Sequence, residues 1–230
     1  MNPIALSILI AVIGYLFGSI SAARIIFARL RPGEEPVRIR MPSTDGKAEL
    51  VSHAIGATNV MMTFGSRWGM LTMALDAAKA FVPALILRLA FPGQPYSLIV
   101  AGAVLSGHIW PVWHRFSGGG GNSCILGMLL AISPAGLVVT HVGSMLIGKF
   151  LPKFAFMSGV VLMIPWFAWR YGIVSPESIF AIGVTLIYVT GQLPEIIQYA
   201  RLKRAGHIID AAHVMRLMKN SKTNSQGDRP

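Results

Sequence analysis

The stretch Leu-Ser-Gly-His-Ile-Trp-Pro-Val-Trp-His-Arg-Phe-Ser-Gly-Gly-Gly-Gly-Asn-Ser, residues 105–123, lies between two apolar segments of this chain. It contains His108 and Pro111 and ends in a run of four consecutive glycines. Glycine permits φ > 0 and leaves backbone N–H groups uncovered, so the run predicts either a flexible hinge or an anion-binding loop. A helix that begins directly after the loop would favour anion binding.

The composition places the chain among integral membrane proteins. Hydrophobic residues make up 53% of its 230 residues and charged residues 13%, whereas soluble domains carry about 25% charged residues. The net charge of +11 indicates cytoplasmic loops that face anionic headgroups. We expect no nucleic-acid partner, because no polar stretch is long enough to form a separate domain. The single cysteine, Cys124, excludes an internal disulfide and is expected to be a packed core thiol.

Hydropathy predicts six apolar segments, at residues 3–28, 68–91, 97–113, 124–148, 154–169 and 178–194. The first segment lacks a basic n-region and a cleavage site, so we interpret it as a retained span and not as a signal peptide. We predict a transmembrane domain over residues 1–205 and a basic, partly disordered cytoplasmic tail over residues 206–230.

The basic residues predict the topology. The first loop and the tail are basic and should both be cytoplasmic, but six simple spans would place the tail, Lys149 and Lys153 outside. Ser-Pro-Ala-Gly at residues 133–136 is a turn signal inside the fourth segment, which it would split into two short helices. We therefore predict an all-α polytopic membrane helix bundle of about seven helical segments, two of them short, with the amino terminus outside and the carboxyl terminus cytoplasmic. A single Pro-kinked span is the alternative.

Polar residues of the predicted cytoplasmic side are the candidates for chemistry. Asp76 and Lys79 lie on one helix face of the second segment, and ionisable groups in a span indicate either a function or a structural ion pair. A lone histidine on an apolar helix, such as His108, is more typical of a helix–helix hydrogen bond. The loop at residues 52–59 supplies hydroxyl and amide groups suited to a phosphate or glycerol. We predict no metal site, because no His, Cys, Asp and Glu residues have ligand spacing.

Five short motifs follow one another along the chain. They are Gly18-Ser19-Ile20-Ser21, Ile55-Gly56-Ala57-Thr58-Asn59-Val60, Asp76-Ala77-Ala78-Lys79-Ala80, Gly107-His108-Ile109-Trp110-Pro111 and Gly118-Gly119-Gly120-Gly121. In this order they resemble the motifs of the bacterial acyl-phosphate-dependent glycerol-3-phosphate acyltransferases. The resemblance implies a seven-helix fold in the bacterial plasma (inner) membrane. It also implies transfer of an acyl chain from acyl phosphate to the 1-hydroxyl of glycerol 3-phosphate, which makes lysophosphatidic acid for phospholipid synthesis without a cofactor.

The resemblance also implies roles for individual residues. Catalytic roles fall on Ser52, Asn59 and His108, and a supporting role falls on Asp76. Substrate or phosphate binding falls on Gly56, Thr58, Lys79, Gly118, Gly119, Gly120, Gly121 and Asn122. The implied partners are acyl phosphate, glycerol 3-phosphate, membrane lipids and the enzyme that supplies the acyl phosphate.

Four positions depart from the family pattern. The loop lysine of the family falls on Gly120, the arginine after its Ala-Thr-Asn motif on Met62, and a carboxyl-terminal His and Asn on Gln192 and Glu195. Two of these replacements remove a positive charge. Four lysines are candidates to replace it: Lys47, Lys79, Lys149 and Lys153.

These departures leave three alternatives for the function. The first is an acyltransferase with a shifted set of basic ligands. The second is a catalytically degenerate homologue that acts as a lipid-binding or regulatory membrane protein, and the third is a small transporter or channel. At least two Lys or Arg head groups around the glycine loop would favour the enzyme.

Overall fold

A computed structural model of the chain describes residues 2–36, 38–150 and 154–209. These residues are mostly helical, as predicted. The helices are α1 (Pro3–Gly18), α2 (Ala22–Leu30), α3 (Ala57–Phe64), α4 (Ser66–Ala90), α5 (Tyr96–Ile109), α6 (Asn122–Ile132), α7 (Pro134–Gly148), α8 (Ala155–Tyr171) and α9 (Pro176–Arg204). Strands β1 (Arg40–Pro42) and β2 (Glu49–Val51) form an antiparallel hairpin. Four stretches of the described chain are long and apolar enough to cross a membrane: Pro3–Leu30, Ser66–Ala90, Tyr96–His114 and Pro176–Arg204.

The described chain divides into two compact units. Residues 2–36 and 54–191 belong to the first unit, and residues 38–53 and 192–209 belong to the second. The first unit contains most of the helices, and the second contains the hairpin and the end of α9. Residues 210–230 of the predicted tail, like Lys153, lie outside the described residues, so the predicted domain boundary stays a prediction.

The break predicted inside the fourth apolar segment is confirmed. Helix α6 ends at Ile132 and α7 begins at Pro134, which gives short helices of 11 and 15 residues. The hydroxyl of Ser133 accepts the Gly136 N–H (3.2 Å) and caps α7. Arg88 of α4 donates to the Ala131 and Ile132 carbonyls, so the last carbonyls of α6 are satisfied inside the bundle.

The first apolar segment also breaks, which the sequence analysis did not predict. Helix α1 ends at Gly18, and α2 begins at Ala22 after the Ser21 cap, whose hydroxyl accepts the Arg24 N–H (3.3 Å). The buried Ser19 hydroxyl donates to the Tyr15 carbonyl (2.9 Å). The break leaves backbone carbonyls of this turn without helical partners, and they become part of the site described below.

Helices α1 and α5 contact each other closely at small residues near the break in the first apolar segment. A Cβ atom on Gly18 of α1 would lie 2.2 Å from the Val104 carbonyl oxygen of α5, and one on Gly107 of α5 would lie 2.1 Å from the Tyr15 carbonyl oxygen. Small residues let helix backbones approach this closely in membranes. The carboxyl-terminal ends of α1 and α5 are therefore held against each other.

Candidate functional site

The glycine loop folds back onto the end of helix α5. After α5 the chain passes through a 3-10 turn at Val112–His114, and Arg115 and Phe116 then adopt positive φ values of 51° and 58°. The Gly119 N–H donates to the His108 carbonyl (2.9 Å). A Cβ atom on Gly119 would lie 2.2 Å from Nε2 of His108, so any side chain at this position would displace the imidazole ring or the loop.

The second predicted motif packs beside this loop. The Ile55 N–H donates to the Gly118 carbonyl (2.8 Å), and a Cβ atom on Gly56 would lie 4.0 Å from the Gly119 Cα. The carboxamide oxygen of Asn59 accepts the Gly56 N–H (2.9 Å) and so holds the start of α3. Thr58 is exposed on the same first turn. The fold thus brings together two loops that lie far apart in the sequence.

A buried ion pair lies behind the histidine. Nζ of Lys79 is 3.0 Å from Oδ1 of Asp76, and that oxygen is 3.7 Å from Nδ1 of His108. The same ammonium group donates to the carbonyls of Gly18 (3.2 Å) and Ile20 (2.9 Å) at the break between α1 and α2. Two donors of the ammonium group are used by the carbonyls, and its charge faces the Asp76 carboxylate. The pair therefore ties α4 to the broken segment and to α5.

Helix α6 begins at the end of the glycine loop. Gly121 precedes it with φ = 87°, in the left-handed region that favours glycine. The exposed Asn122 is the first helical residue, and its side-chain oxygen accepts the hydroxyl of Tyr188 (2.9 Å). The N–H groups of a first helical turn have no helical partners and favour anions. The first turn of α6 therefore presents backbone N–H groups at the end of the glycine loop.

Arg24 of α2, which was not among the predicted site residues, also contacts the loop region. Its Nη2 donates to the Ser117 carbonyl (3.2 Å), directly before the glycines, and its Nη1 pairs with Glu35 (2.6 Å). Arg24 lies inside the first apolar segment, where a charged residue is itself a signal of function. Because hydropathy predicted one continuous span there, the charge was not among the predicted site residues. Arg24 is one cationic group at the loop, whereas the described contacts of the Lys79 ammonium group are with Asp76 and with the carbonyls of Gly18 and Ile20.

The remaining predicted residues are distributed over both units of the described chain. Ser52 follows β2 in the second unit, where its N–H donates to the Ile39 carbonyl (2.8 Å). Lys47 lies between the strands of the hairpin, and Lys149 is exposed at the end of α7. The four departing positions are Gly120 in the loop, Met62 on α3, and Gln192 and Glu195 on α9. In the described ranges no group of three or more His, Cys, Asp and Glu residues could hold a metal ion, and the absence of a metal site stays a prediction.

Comparison with known proteins assigns this arrangement to a class of integral membrane proteins. The chain superposes with a TM-score of 0.68 and 24% sequence identity on a crystal structure of PlsY (YgiH), an integral membrane glycerol 3-phosphate acyltransferase, in its glycerol 3-phosphate form. The superposition covers 89% of this chain and 96% of that one. The likeness shows the fold, that of a multi-pass membrane helix bundle, which confirms the predicted fold class. The orientation of the termini stays a prediction.

Sequence comparison identifies the family. The sequence model of the family described as Glycerol-3-phosphate acyltransferase matches residues 8–202. A glycerol-3-phosphate acyltransferase of Rhizobium etli (strain CIAT 652) is 31% identical over 221 residues, which cover 96% of this chain and 91% of that protein. One of Anaeromyxobacter sp. (strain K) is 39% identical over 146 residues, which cover 60% of this chain and 67% of that protein. The chain belongs to the glycerol-3-phosphate acyltransferase family, as the five motifs indicated.

Proposed function

We propose that this protein transfers an acyl chain from acyl phosphate to the 1-hydroxyl of glycerol 3-phosphate and so makes lysophosphatidic acid at the bacterial inner membrane. Membership of the family supports the acyltransferase class. The observation that carries the proposal is the packing of the glycine loop between His108 and the turn at Ile55 and Gly56. This packing builds one backbone-lined site from motifs that are separate in the sequence.

The reaction places few chemical demands on the protein. The hydroxyl oxygen of glycerol 3-phosphate attacks the acyl carbonyl carbon, the new ester C–O bond forms, and the C–O bond to the phosphate breaks. The hydroxyl proton ends on the released phosphate, so the reaction balances without a co-reactant. Phosphate is a good leaving group, and holding the two substrates in line supplies much of the rate.

The proposed roles follow from these demands. Ser52, Asn59 and His108 are the proposed catalytic residues, and Ser52 is assigned by the family resemblance alone. The backbone of the glycine loop and the first turn of α6 would hold a phosphate group. Gly56, Thr58 and Asn122 are proposed as further substrate contacts. Lys79, whose ammonium group contacts two carbonyls, would contribute positive potential from behind His108 without touching the substrate.

The proposed topology places the amino terminus outside and the carboxyl terminus in the cytoplasm. Its support is the basic end of α9, where Arg201, Lys203 and Arg204 occupy the last turn. Basic residues flanking a span favour the cytoplasmic side. The phosphorylated substrates would then reach the site from the cytoplasm, where the enzyme that supplies acyl phosphate would also be found.

Acyl transfer by the purified protein tests the proposal. Radiolabelled glycerol 3-phosphate and a synthetic acyl phosphate are incubated with the native protein, Gly120→Lys and Gly120→Gln in detergent micelles. Gly120→Gln is the matched control, because it adds a side chain of similar length without the charge. We expect lysophosphatidate from the native protein, and more from Gly120→Lys than from Gly120→Gln.

Absence of product from the native protein would support the second candidate function, that of a lipid-binding homologue without activity. The loss of the family lysine at Gly120 is the observation that favours a lipid-binding homologue without activity. No product from the native protein under conditions where the Rhizobium etli relative is active would overturn the proposed activity. Product from Gly120→Lys alone would indicate a site that has lost catalysis through this one position.

A further inference from the structure

A cavity of about 450 Å³ opens beside the glycine loop, within the first unit. Residues of α2, of the segment that follows it and of the 3-10 turn line the cavity, and they include Ile20, Arg24, Ile25, Glu35, Trp113 and His114. It is a different feature from the backbone cradle of the glycines. Arg24 joins the two, because its guanidinium contacts the Ser117 carbonyl directly before Gly118.

Arg24 has the features of an anion ligand in this cavity. Its side chain is only 16% exposed, and within the described chain its Nε is buried without a hydrogen-bond partner. Because solvent does not reach the Nε atom, an anion in the cavity would be held by the Nη atoms, which now contact Glu35 and the Ser117 carbonyl. The guanidinium fork also matches the geometry of phosphate oxygens.

Glu35 is the exchangeable partner of Arg24. Its carboxylate lies 2.6 Å from Nη1, yet its side chain is 85% exposed. Exposed ion pairs contribute little to stability, so an anion that enters the cavity can displace this carboxylate at small cost. The neighbouring Glu34 is already paired with Arg31 (3.2 Å) and competes less for Arg24.

The apolar wall of the cavity selects the kind of anion. Ile20, Ile25 and Trp113 are 45%, 51% and 60% exposed, and they lie on stretches long and apolar enough to span the membrane. Such side chains face lipid in a membrane, and the tryptophan is typical of its interface. A free phosphate ester would leave this wall uncovered, whereas a phosphate that carries one acyl chain would cover it.

We propose that this cavity binds the phosphate group of a single-chain lipid phosphate, with Arg24 as the phosphate ligand and Glu35 as the competing carboxylate. The class includes the acyl phosphate donor and the lysophosphatidate product of the proposed function, on which the inference rests. Arg24 then supplies, from α2, the positive charge that the glycine loop lacks at Gly120.

Thermal unfolding of the purified protein in detergent tests the cavity independently of activity. The probes are 1-oleoyl lysophosphatidate, mono-oleoylglycerol without the phosphate, and glycerol 3-phosphate without the chain. We expect lysophosphatidate to raise Tm most, and Arg24→Gln to weaken its apparent affinity by roughly tenfold or more. Arg24→Lys should retain part of the affinity. Arg29→Gln, an exposed position in the last turn of α2, is the matched control and should behave as the native protein.

Glu35→Gln is a second test variant, for which we expect the affinity to change in the opposite direction. Its result can be interpreted even if Arg24→Gln fails to fold. Without the competing carboxylate, the apparent affinity for lysophosphatidate should rise several-fold. In the acyl-transfer assay, Arg24→Gln should raise KM for acyl phosphate and leave KM for glycerol 3-phosphate within about twofold.

Several outcomes would overturn the inference. They are equal Tm shifts with mono-oleoylglycerol, unchanged affinity in both Arg24→Gln and Glu35→Gln, or a KM rise confined to glycerol 3-phosphate. A native protein that binds lysophosphatidate through Arg24 but makes no product would sink the proposed activity and leave the cavity assignment standing. An active protein whose affinity for lysophosphatidate is unchanged in Arg24→Gln would overturn the cavity assignment and leave the proposed activity standing.

Discussion

Gly119 rests on the imidazole of His108 so closely that a Cβ atom on the glycine would lie 2.2 Å from Nε2. The backbone repeats the contact, because the Gly119 N–H donates to the His108 carbonyl (2.9 Å). The imidazole ring of His108 thus packs directly against the backbone of the loop at Gly119. Any side chain at residue 119 must move either the ring or the loop.

Gly119→Ala should therefore lower both stability and activity. Forcing a methyl group into a filled space costs about 1–3 kcal/mol. Gly102→Ala is the matched control, because Gly102 is on the same helix as His108 and a Cβ there would meet nothing within 4 Å. Thermal unfolding in detergent and the acyl-transfer assay measure the two effects. Removing the ring with His108→Ala should make the added methyl nearly harmless to stability, and equal costs in both backgrounds would contradict the contact.

The stability of proteins substituted at Gly121 should depend on how readily the new residue adopts a positive φ. Its φ of 87° lies in the left-handed region, which costs ordinary residues about 1–2 kcal/mol and asparagine less. We expect Gly121→Asn to unfold at a higher temperature than Gly121→Val. The opposite order would show that contact with Leu105, 3.0 Å from the added Cβ, decides the outcome instead of the backbone.

The Asp76–Lys79 pair should not survive exchange of its members. A carboxylate at residue 79 would face the Gly18 and Ile20 carbonyl oxygens that the ammonium now satisfies. The swapped protein should therefore be less stable than the native one in thermal unfolding, even though it keeps both charges.

Removing one charge of the same pair should be worse than removing both. Lys79→Met leaves the Asp76 carboxylate buried and unpaired, which costs about 3–5 kcal/mol. The double variant Asp76→Asn, Lys79→Met should recover part of that loss. A native-like stability of Lys79→Met would show that the pair does not hold the helices together.

The helix bundle was predictable from the sequence because its signals are local. Apolar runs mark the helices, and the turn signal at residues 133–136 marks a break whose ends are capped within a few residues by Ser133. The break at Ser19 and Ser21 carries the same kind of signal. That break was not predicted, because the high hydropathy of the surrounding residues outweighed the two serines.

The candidate site was only partly predictable, because its contacts join distant segments. The motif order marked His108, Asn59 and the glycines, but no local pattern shows that Ile55 donates to Gly118. The spacing of residues in the sequence also could not show that Lys79 donates hydrogen bonds to the carbonyls at the break in the first apolar segment. Arg24 was visible as a charge in an apolar segment, yet its meaning depends on Ser117, which lies 93 residues further along the chain.

The hairpin of the second unit should loosen at low pH through Asp45. A hydrogen bond from the Ser43 hydroxyl, followed by those from the Lys47 N–H and His207, lowers the pKa of Asp45 from 3.8 to about 2. Because the folded pKa is the lower one, the stabilisation is complete above pH 4 or so and is lost as the pH falls toward 2.

Hydrogen–deuterium exchange of peptides covering residues 40–51 measures this loss. After correction for intrinsic exchange, protection of the hairpin should fall between about pH 4 and pH 2 in the native protein. Asp45→Asn cannot titrate, so its protection should be lower at neutral pH and nearly flat over the same range. A parallel fall in both proteins would show that the acid sensitivity of the hairpin does not come from Asp45.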